Sequence, residues 1–142
     1  MIDRMTERRH TDQGYDRDLQ EIRERLLAMA DRVERMIADA VQALVEDDEA
    51  LARATIDADR RVDRDEVEID GLGLTLLASR QPRASDLRFV TFTLTMVTDL
   101  ERIGDLAVNV CERVLILCAQ PRLAPYVDIP AMGSIVSGMV SG

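Results

Sequence analysis

Hydrophobic positions recur along this chain in alternating steps of three and four residues. The first such series is Leu19, Ile22, Leu26, Met29, Val33, Met36, Ala40 and Ala43. Steps of this kind place side chains on one face of an α-helix with 3.6 residues per turn. The series therefore predicts an amphipathic helix of about eight turns. It ends in the acidic run 46–49, where Asp48 is the predicted N-cap of the next helix.

Two further helices follow from the same periodicity. The second is predicted from about residue 49 to residue 79, with a seam made of Leu51, Thr55, Ala58, Val62, Asp65, Ile69, Leu72 and Leu76. Pro82 cannot continue a helix, so a bend is expected there. Ser85 is the predicted N-cap of a third helix, with Asp86 in its first turn. The third helix carries two adjacent apolar stripes, which is typical of a helix packed against two neighbours.

Three long helices joined by short connections predict an all-α fold, an antiparallel three-helix bundle over residues 15–120. No segment shows the sustained alternation expected of a strand. Residues 1–14 are polar and aperiodic and are expected to form a flexible leader. Residues 121–142 are expected to hold a linker and then, from about Pro130, the start of a fourth helix.

The fourth helical segment resembles part of the first. At an offset of 103 positions, Met29, Val33, Met36 and Ile37 fall on Met132, Val136, Met139 and Val140. This match predicts the truncated start of a second copy of the same unit. The match is short, so chance similarity is the alternative.

Composition and charge narrow the classes of function. The chain has 142 residues and a formal net charge of −9. Residues 31–70 alone hold fourteen acidic residues against six arginines. An acidic surface of this kind argues against nucleic-acid binding, which requires clustered positive charge. No signal sequence or membrane span is present, so a cytoplasmic protein without direct membrane insertion is expected.

Pairs of acidic residues on the second and third helices form the candidate functional site. Glu101 and Asp105 lie one turn apart on an otherwise apolar part of the third helix. The second helix carries a stripe of four acids, in which Asp59 and Asp63 are followed by Glu66 and Asp70. Antiparallel packing would bring Asp59 and Asp63 near Glu101 and Asp105. Such a set suits hard divalent or trivalent cations such as Mg²⁺, Mn²⁺ or iron. The alternative is that these acids form ordinary ion pairs with Arg60, Arg61, Arg64 and Arg102.

Catalytic motifs are missing from the sequence. The single histidine, His10, lies in the expected leader and is interpreted as a solvated residue of that segment. The sequence contains no Glu-x-x-His pair within the helices, no glycine-rich phosphate loop and no nucleophile with a partnering base. A metal-dependent hydrolase would also need a general base near the metal. The sequence therefore predicts a protein that is not an enzyme.

Several segments, in this order, resemble the PhoU family of phosphate-specific transport system accessory proteins. They are Leu26-Leu27-Ala28-Met29, Asp59-x-x-Val62-Asp63 with Glu66, Arg80-Gln81-Pro82, Ser85-Asp86-Leu87-Arg88 and Leu100-Glu101-Arg102-Ile103-Gly104-Asp105. The resemblance covers about residues 15–140, which corresponds to one family repeat and the start of the second. The family's metal-binding motif, (Glu/Asp)-x-x-x-Asp, falls on Asp59/Asp63 and Glu101/Asp105. Many members have His where this chain has Leu106, which removes one potential ligand.

The resemblance implies a function. Family members have two tandem three-helix repeats, are usually dimeric and act as negative regulators of phosphate uptake and of the phosphate-starvation response. They are thought to connect the ATPase subunit of the phosphate transporter to a sensor histidine kinase. For this chain the expectation is therefore a cytoplasmic, homodimeric regulator that works by protein–protein contact. The alternatives are a structural helical adaptor that binds no metal and, less favoured, a metal-dependent hydrolase.

Overall fold

A computed structural model describes residues 3–79, 82–121 and 128–142, with side chains from residue 13 onward except at residue 79. Within these ranges the chain forms four α-helices and no strand: α1 (Asp3–Glu46), α2 (Glu49–Ser79), α3 (Ala84–Leu117) and α4 (Ile129–Ser141). The predicted all-α fold is confirmed. None of the helices in these ranges combines the length and the apolar character needed to cross a membrane.

The first three helices pack against one another as a bundle, and α4 lies on α1. Each of the three long helices contributes fully buried valines to the core, among them Val33, Val62 and Val97. The predicted seams account for these positions. Ala58 is an exception, because it belongs to the predicted seam of α2 but is exposed.

Helix α1 begins earlier than the periodicity predicted. Its first residue is Asp3, so the backbone of residues 3–14 is helical and is not the flexible leader that was expected. The segment holds no proline, and its three arginines favour helix without producing an apolar stripe. The side chain of His10 and residues 80–81 and 122–127 of the predicted bend and linker lie outside the described part.

Two predicted helix starts have different outcomes. Asp48 caps α2 as predicted, since its Oδ1 accepts a hydrogen bond of 2.9 Å from the backbone N–H of Leu51. The preceding Asp47 has a φ of 55°, and the N–H of Asp48 bonds the carbonyl of Ala43, which ends α1 in a Schellman-type turn. The prediction for Ser85 is wrong. Helix α3 begins at Ala84 because the extended residue after Pro82, Arg83, already offers its carbonyl to the first helical N–H groups.

An ion-pair network fixes α2 against α1. Asp65, with 6% of its side chain exposed, lies 2.7 Å from Arg32 Nε of α1 and 2.9 Å from an Arg61 amino group of α2. Glu68, one turn further on, pairs with Arg25 of α1. These contacts set the rotation of α2, and they leave its other acidic stripe facing α3.

Candidate functional site

The acidic stripe of α2 faces the paired carboxylates of α3. Asp59 comes closest, because a Cβ atom placed on Gly104 would lie 3.4 Å from Asp59 Oδ1. Gly104 lies between Glu101 and Asp105 in sequence and is itself buried. The missing side chain at Gly104 therefore lets a carboxylate of α2 approach the backbone of α3. The structure brings together the two helix segments that the sequence predicted to meet.

Asp59 is held where a negative charge is poorly solvated. Its Oδ1 is buried, and within the described part of the chain it has no hydrogen-bond partner. Burial raises the pKa of this carboxyl, and the charges of Asp63 and Asp105 raise it further. A buried carboxylate oxygen without a donor is uncommon in folded proteins and points to a missing partner such as a cation or water.

Glu101 is the most strongly perturbed acid of the site. A hydrogen bond with Asp105, then burial, and then the charges of Asp105, Glu66 and Asp63 raise its pKa to about 7. Because these charges come from both helices, Glu101 lies where the acids of α2 and α3 meet.

The site is larger than the four residues that the sequence singled out. Glu66 has a raised pKa, caused first by burial and then by the charges of Asp70, Asp63 and Asp105. Burial also raises the pKa of Asp70. The regular spacing along α2 already placed both residues on the same stripe, but it could not show how far the contact with α3 extends. We call Asp59, Asp63, Glu66, Asp70, Glu101 and Asp105 the acidic cluster.

Within the described ranges, none of the four arginines that could have neutralised the acidic cluster forms an ion pair with it. Arg60 lies 4.0 Å from the exposed Asp57, and Arg61 pairs with Asp65 and Glu68. Among the described side chains, no ion pair joins Arg64 or Arg102 to a member of the acidic cluster. The alternative of ordinary ion pairs therefore finds no support here, and the negative charge remains uncompensated by side chains in the described ranges.

The donor chemistry of the acidic cluster suits a hard cation. Every member supplies carboxylate oxygens, the preferred ligands of Mg²⁺ and Mn²⁺. Within the described ranges, however, no set of three or more His, Cys, Asp or Glu side chains is already arranged closely enough to hold a metal ion. A cation would therefore have to draw these carboxylates together.

Comparisons with known proteins point to one family. The PhoU domain matches residues 26–114. The chain is 39% identical to a "Phosphate-specific transport system accessory protein PhoU homolog" of Pseudomonas putida, over 99% of this chain and 55% of that protein. It is 33% identical to the PhoU accessory protein of Escherichia coli K12, over 93% of this chain and 55% of that protein.

A solved structure agrees with these sequence matches. The crystal structure of PhoU from Pseudomonas aeruginosa superposes with a TM-score of 0.86 at 39% identity, over 89% of this chain and 61% of that one. The chain thus spans little more than half the length of the curated relatives it matches. The matched residues 26–114 include both halves of the acidic cluster.

Proposed function

The chain belongs to the PhoU family, and on this premise we propose that it is an accessory protein of a phosphate-specific transport system. Its proposed role is negative regulation of phosphate uptake and of the phosphate-starvation response. The observation that carries this proposal is the family match across α1, α2 and α3, including the acidic cluster. The relatives are named as accessory proteins and not as enzymes, which favours regulation over hydrolysis.

Regulation of this kind would proceed by protein–protein contact in the cytoplasm. The proposed partners are the ATPase subunit of the phosphate transporter, a sensor histidine kinase and a second copy of this chain. Long helices offer such partners extended surfaces, and several large apolar side chains of the bundle are exposed, among them Leu27, Val67 and Leu74. Exposed apolar side chains on helices are the usual anchors of helix-mediated recognition.

A strain that lacks the gene tests the regulatory role. Alkaline phosphatase expression is measured in phosphate-rich medium, in the parent strain, in the deletion strain and in the deletion strain carrying the gene on a plasmid. We expect high expression after deletion and a return to low expression on complementation. Low expression in the deletion strain would contradict the proposed role.

A bound cation is the second element of the proposal. Asp59, Asp63, Glu101 and Asp105 would hold Mg²⁺, Mn²⁺ or iron, and the ion would supply the positive charge that the cluster lacks. The buried, unpartnered Oδ1 of Asp59 and the raised pKa of Glu101 support this proposal. The competing interpretation is that the protein is a structural helical adaptor that binds no metal.

Calorimetric titration with Mn²⁺ separates these two interpretations. We expect the natural chain to bind Mn²⁺ and the double variant Glu101→Gln/Asp105→Asn to bind at least tenfold more weakly, because two oxygen ligands lose their charge. Asp57→Asn is the matched control, since Asp57 is an exposed acid of α2 outside the cluster. Equal, negligible heats in all three proteins would favour the adaptor.

A further inference from the structure

Two buried glycines lie where α2 and α3 pack together, Gly73 of α2 and Gly104 of α3. Both are in the interior of a long helix, where glycine is the least favourable residue after proline. A Cβ atom on Gly73 would lie 3.0 Å from Leu94 Cδ2 and 3.4 Å from Val90 Cγ1 of α3. The first distance is shorter than a Cβ atom normally keeps from another side chain, so packing explains the glycine at this position.

Packing does not explain Gly104. The atoms nearest to a Cβ atom placed on it would be Asp59 Oδ1 at 3.4 Å, Val62 Cγ1 at 3.6 Å and Met36 Cε at 3.9 Å, which are ordinary van der Waals distances. Gly104 also has a helical backbone without a positive φ, so an alanine would adopt it without strain. An alanine would therefore fit here and would favour the helix more than glycine does. The stability of the fold does not account for this glycine.

The space beside Gly104 adjoins an oxygen atom that lacks a partner. Asp59 Oδ1 is buried and accepts no hydrogen bond within the described part of the chain, and it is the only polar atom among the three that border this space. A methyl group in the space would cover the oxygen with carbon on that side. A hard cation must come within about 2.1 Å of its oxygen ligands, and a water within about 3 Å. Gly104→Ala would therefore hinder the approach of either.

Binding of a cation to the acidic cluster requires a movement beside Gly104. Within the described ranges, no three carboxylates of the cluster are already close enough together to hold a metal ion. Asp59 must therefore approach Glu101 and Asp105 if the three are to share one cation. Gly104 lies between those two acids along α3 and borders Asp59 Oδ1. Because Gly104 has no side chain, α3 leaves room beside this oxygen for the movement.

We propose that Gly104 is a positioning residue of the acidic cluster, which keeps free the space that Asp59 Oδ1 needs to bind a hard cation together with Glu101 and Asp105. This role rests on the cation binding proposed above. It assigns to Gly104 a loss of helix stability that is offset only when the cation is bound. Replacing a glycine that serves packing alone would lower the stability of the chain, whereas Gly104→Ala should raise the stability and lower the affinity for the cation.

Gly104→Ala and Gly71→Ala form a matched pair of variants. Gly71 is exposed in the interior of α2, and a Cβ atom on it would meet nothing within 4 Å. Thermal unfolding in EDTA, followed by circular dichroism, should place both variants about 3 °C above the natural chain, because alanine is the better helix former. In calorimetric titration, Gly104→Ala should bind Mn²⁺ about tenfold more weakly than the natural chain, because the methyl group hinders one oxygen ligand. Gly71→Ala should bind Mn²⁺ as the natural chain does.

The same titrations in an Asp59→Asn background test whether Gly104 acts through Asp59. There Gly104→Ala should weaken Mn²⁺ binding by less than about twofold, because the oxygen that the methyl group covers has already lost its charge. A natural chain that binds no Mn²⁺ would overturn both the bound cation and the role of Gly104. Unchanged affinity in Gly104→Ala, an equal loss in Gly71→Ala, or the same loss in the Asp59→Asn background would overturn the role of Gly104 alone. A Gly104→Ala chain that unfolds below the natural chain in EDTA would show instead that this glycine serves packing.

Discussion

At the scale of single residues, the acidic cluster holds several carboxyl groups in surroundings that raise their pKa and so disfavour their ionised form. Asp59 Oδ1 lies close to Gly104, and Glu101 has Asp105 on one side and the acids Glu66 and Asp63 of α2 on the other. Each acid would be better solvated in the unfolded chain, so ionising the cluster opposes folding unless a cation joins it. A stability that responds to protons near neutral pH follows from this arrangement.

The pH dependence of stability follows from the raised pKa of Glu101. An acid whose pKa rises from 4.5 in the unfolded chain to about 7 in the folded chain keeps an extra proton when folded. Its stabilising contribution is complete below pH 4.5 and is lost as the pH rises through 7. We expect Glu101→Gln to unfold about 3 °C above the natural chain at pH 8 in EDTA, with the difference vanishing at low pH.

Thermal unfolding followed by circular dichroism between pH 4.5 and pH 8 measures this difference. Asp57→Asn is the control, because it removes an exposed acid of α2 that takes part only in a weak surface pair. That variant should keep the pH profile of the natural chain. A Glu101→Gln profile parallel to that of the natural chain would show that Glu101 titrates normally.

The sequence predicts the residues of the site better than their states. Regular spacing placed Asp59 and Asp63 on one face of α2 and Glu101 and Asp105 on one face of α3, since that follows from helix geometry alone. The orphaned oxygen of Asp59 depends on the close approach at Gly104, and that approach depends on the rotation of α2 set by Asp65. Contacts between distant residues of this kind leave no periodic signal in the chain.

At the scale of helices, the ion pairs of Asp65 hold α1 and α2 in register. Asp65→Asn should lower the free energy of unfolding by about 2 kcal/mol, because it leaves Arg32 without its charged partner and Arg61 with only the more distant Glu68. This value lies below the loss of about 3–5 kcal/mol that is typical of a fully buried pair, because both arginines are partly exposed. Urea denaturation measures it. Glu49→Gln, which breaks an exposed pair with Arg53, should change the stability by less than about 0.5 kcal/mol.

Helix α4 approaches α1 most closely at Gly133, where there is no room for a side chain. A Cβ atom on Gly133 would lie 2.7 Å from Val41 Cγ2, whereas one on Gly138 would meet nothing within 4 Å. Gly133→Ala should therefore displace α4, while Gly138→Ala should strengthen it by about 1 kcal/mol through helix propensity. Amide hydrogen exchange distinguishes the two, with faster exchange across α4 expected only for Gly133→Ala. Slower exchange in both variants would mean that α4 is not held through Gly133.

Helix boundaries show where sequence patterns stop being informative. The acidic run after α1 gave the correct cap at Asp48 because a capping side chain is a local feature. The polar start of α1 was missed because it contributes no apolar stripe, although it holds no proline that would prevent a helix. At the start of α3 the N-cap position falls on Arg83 instead of Ser85, and no side chain there makes a capping hydrogen bond.

At the scale of the whole molecule, the chain consists of a complete bundle and one additional helix. The three long helices each contact the other two, whereas α4 contacts only α1 among the described helices. The core residues come almost entirely from α1, α2 and α3, and Gly133 is the one residue of α4 that is buried. This division implies that the bundle is the folding unit and that α4 adds little to its core.

A chain shortened to residues 1–120 tests this division. We expect it to keep the helical content of α1, α2 and α3 and to unfold in one cooperative transition, because the core of the bundle remains intact. Its free energy of unfolding should fall by about 2 kcal/mol, the amount expected for exposing one or two apolar side chains of α1 that α4 now covers. Urea denaturation followed by circular dichroism measures both quantities. The 142-residue Gly133→Ala variant, which loosens α4 without removing it, should have a free energy of unfolding between those of the natural and shortened chains. A shortened chain that unfolds without a cooperative transition would show instead that α4 belongs to the folding unit.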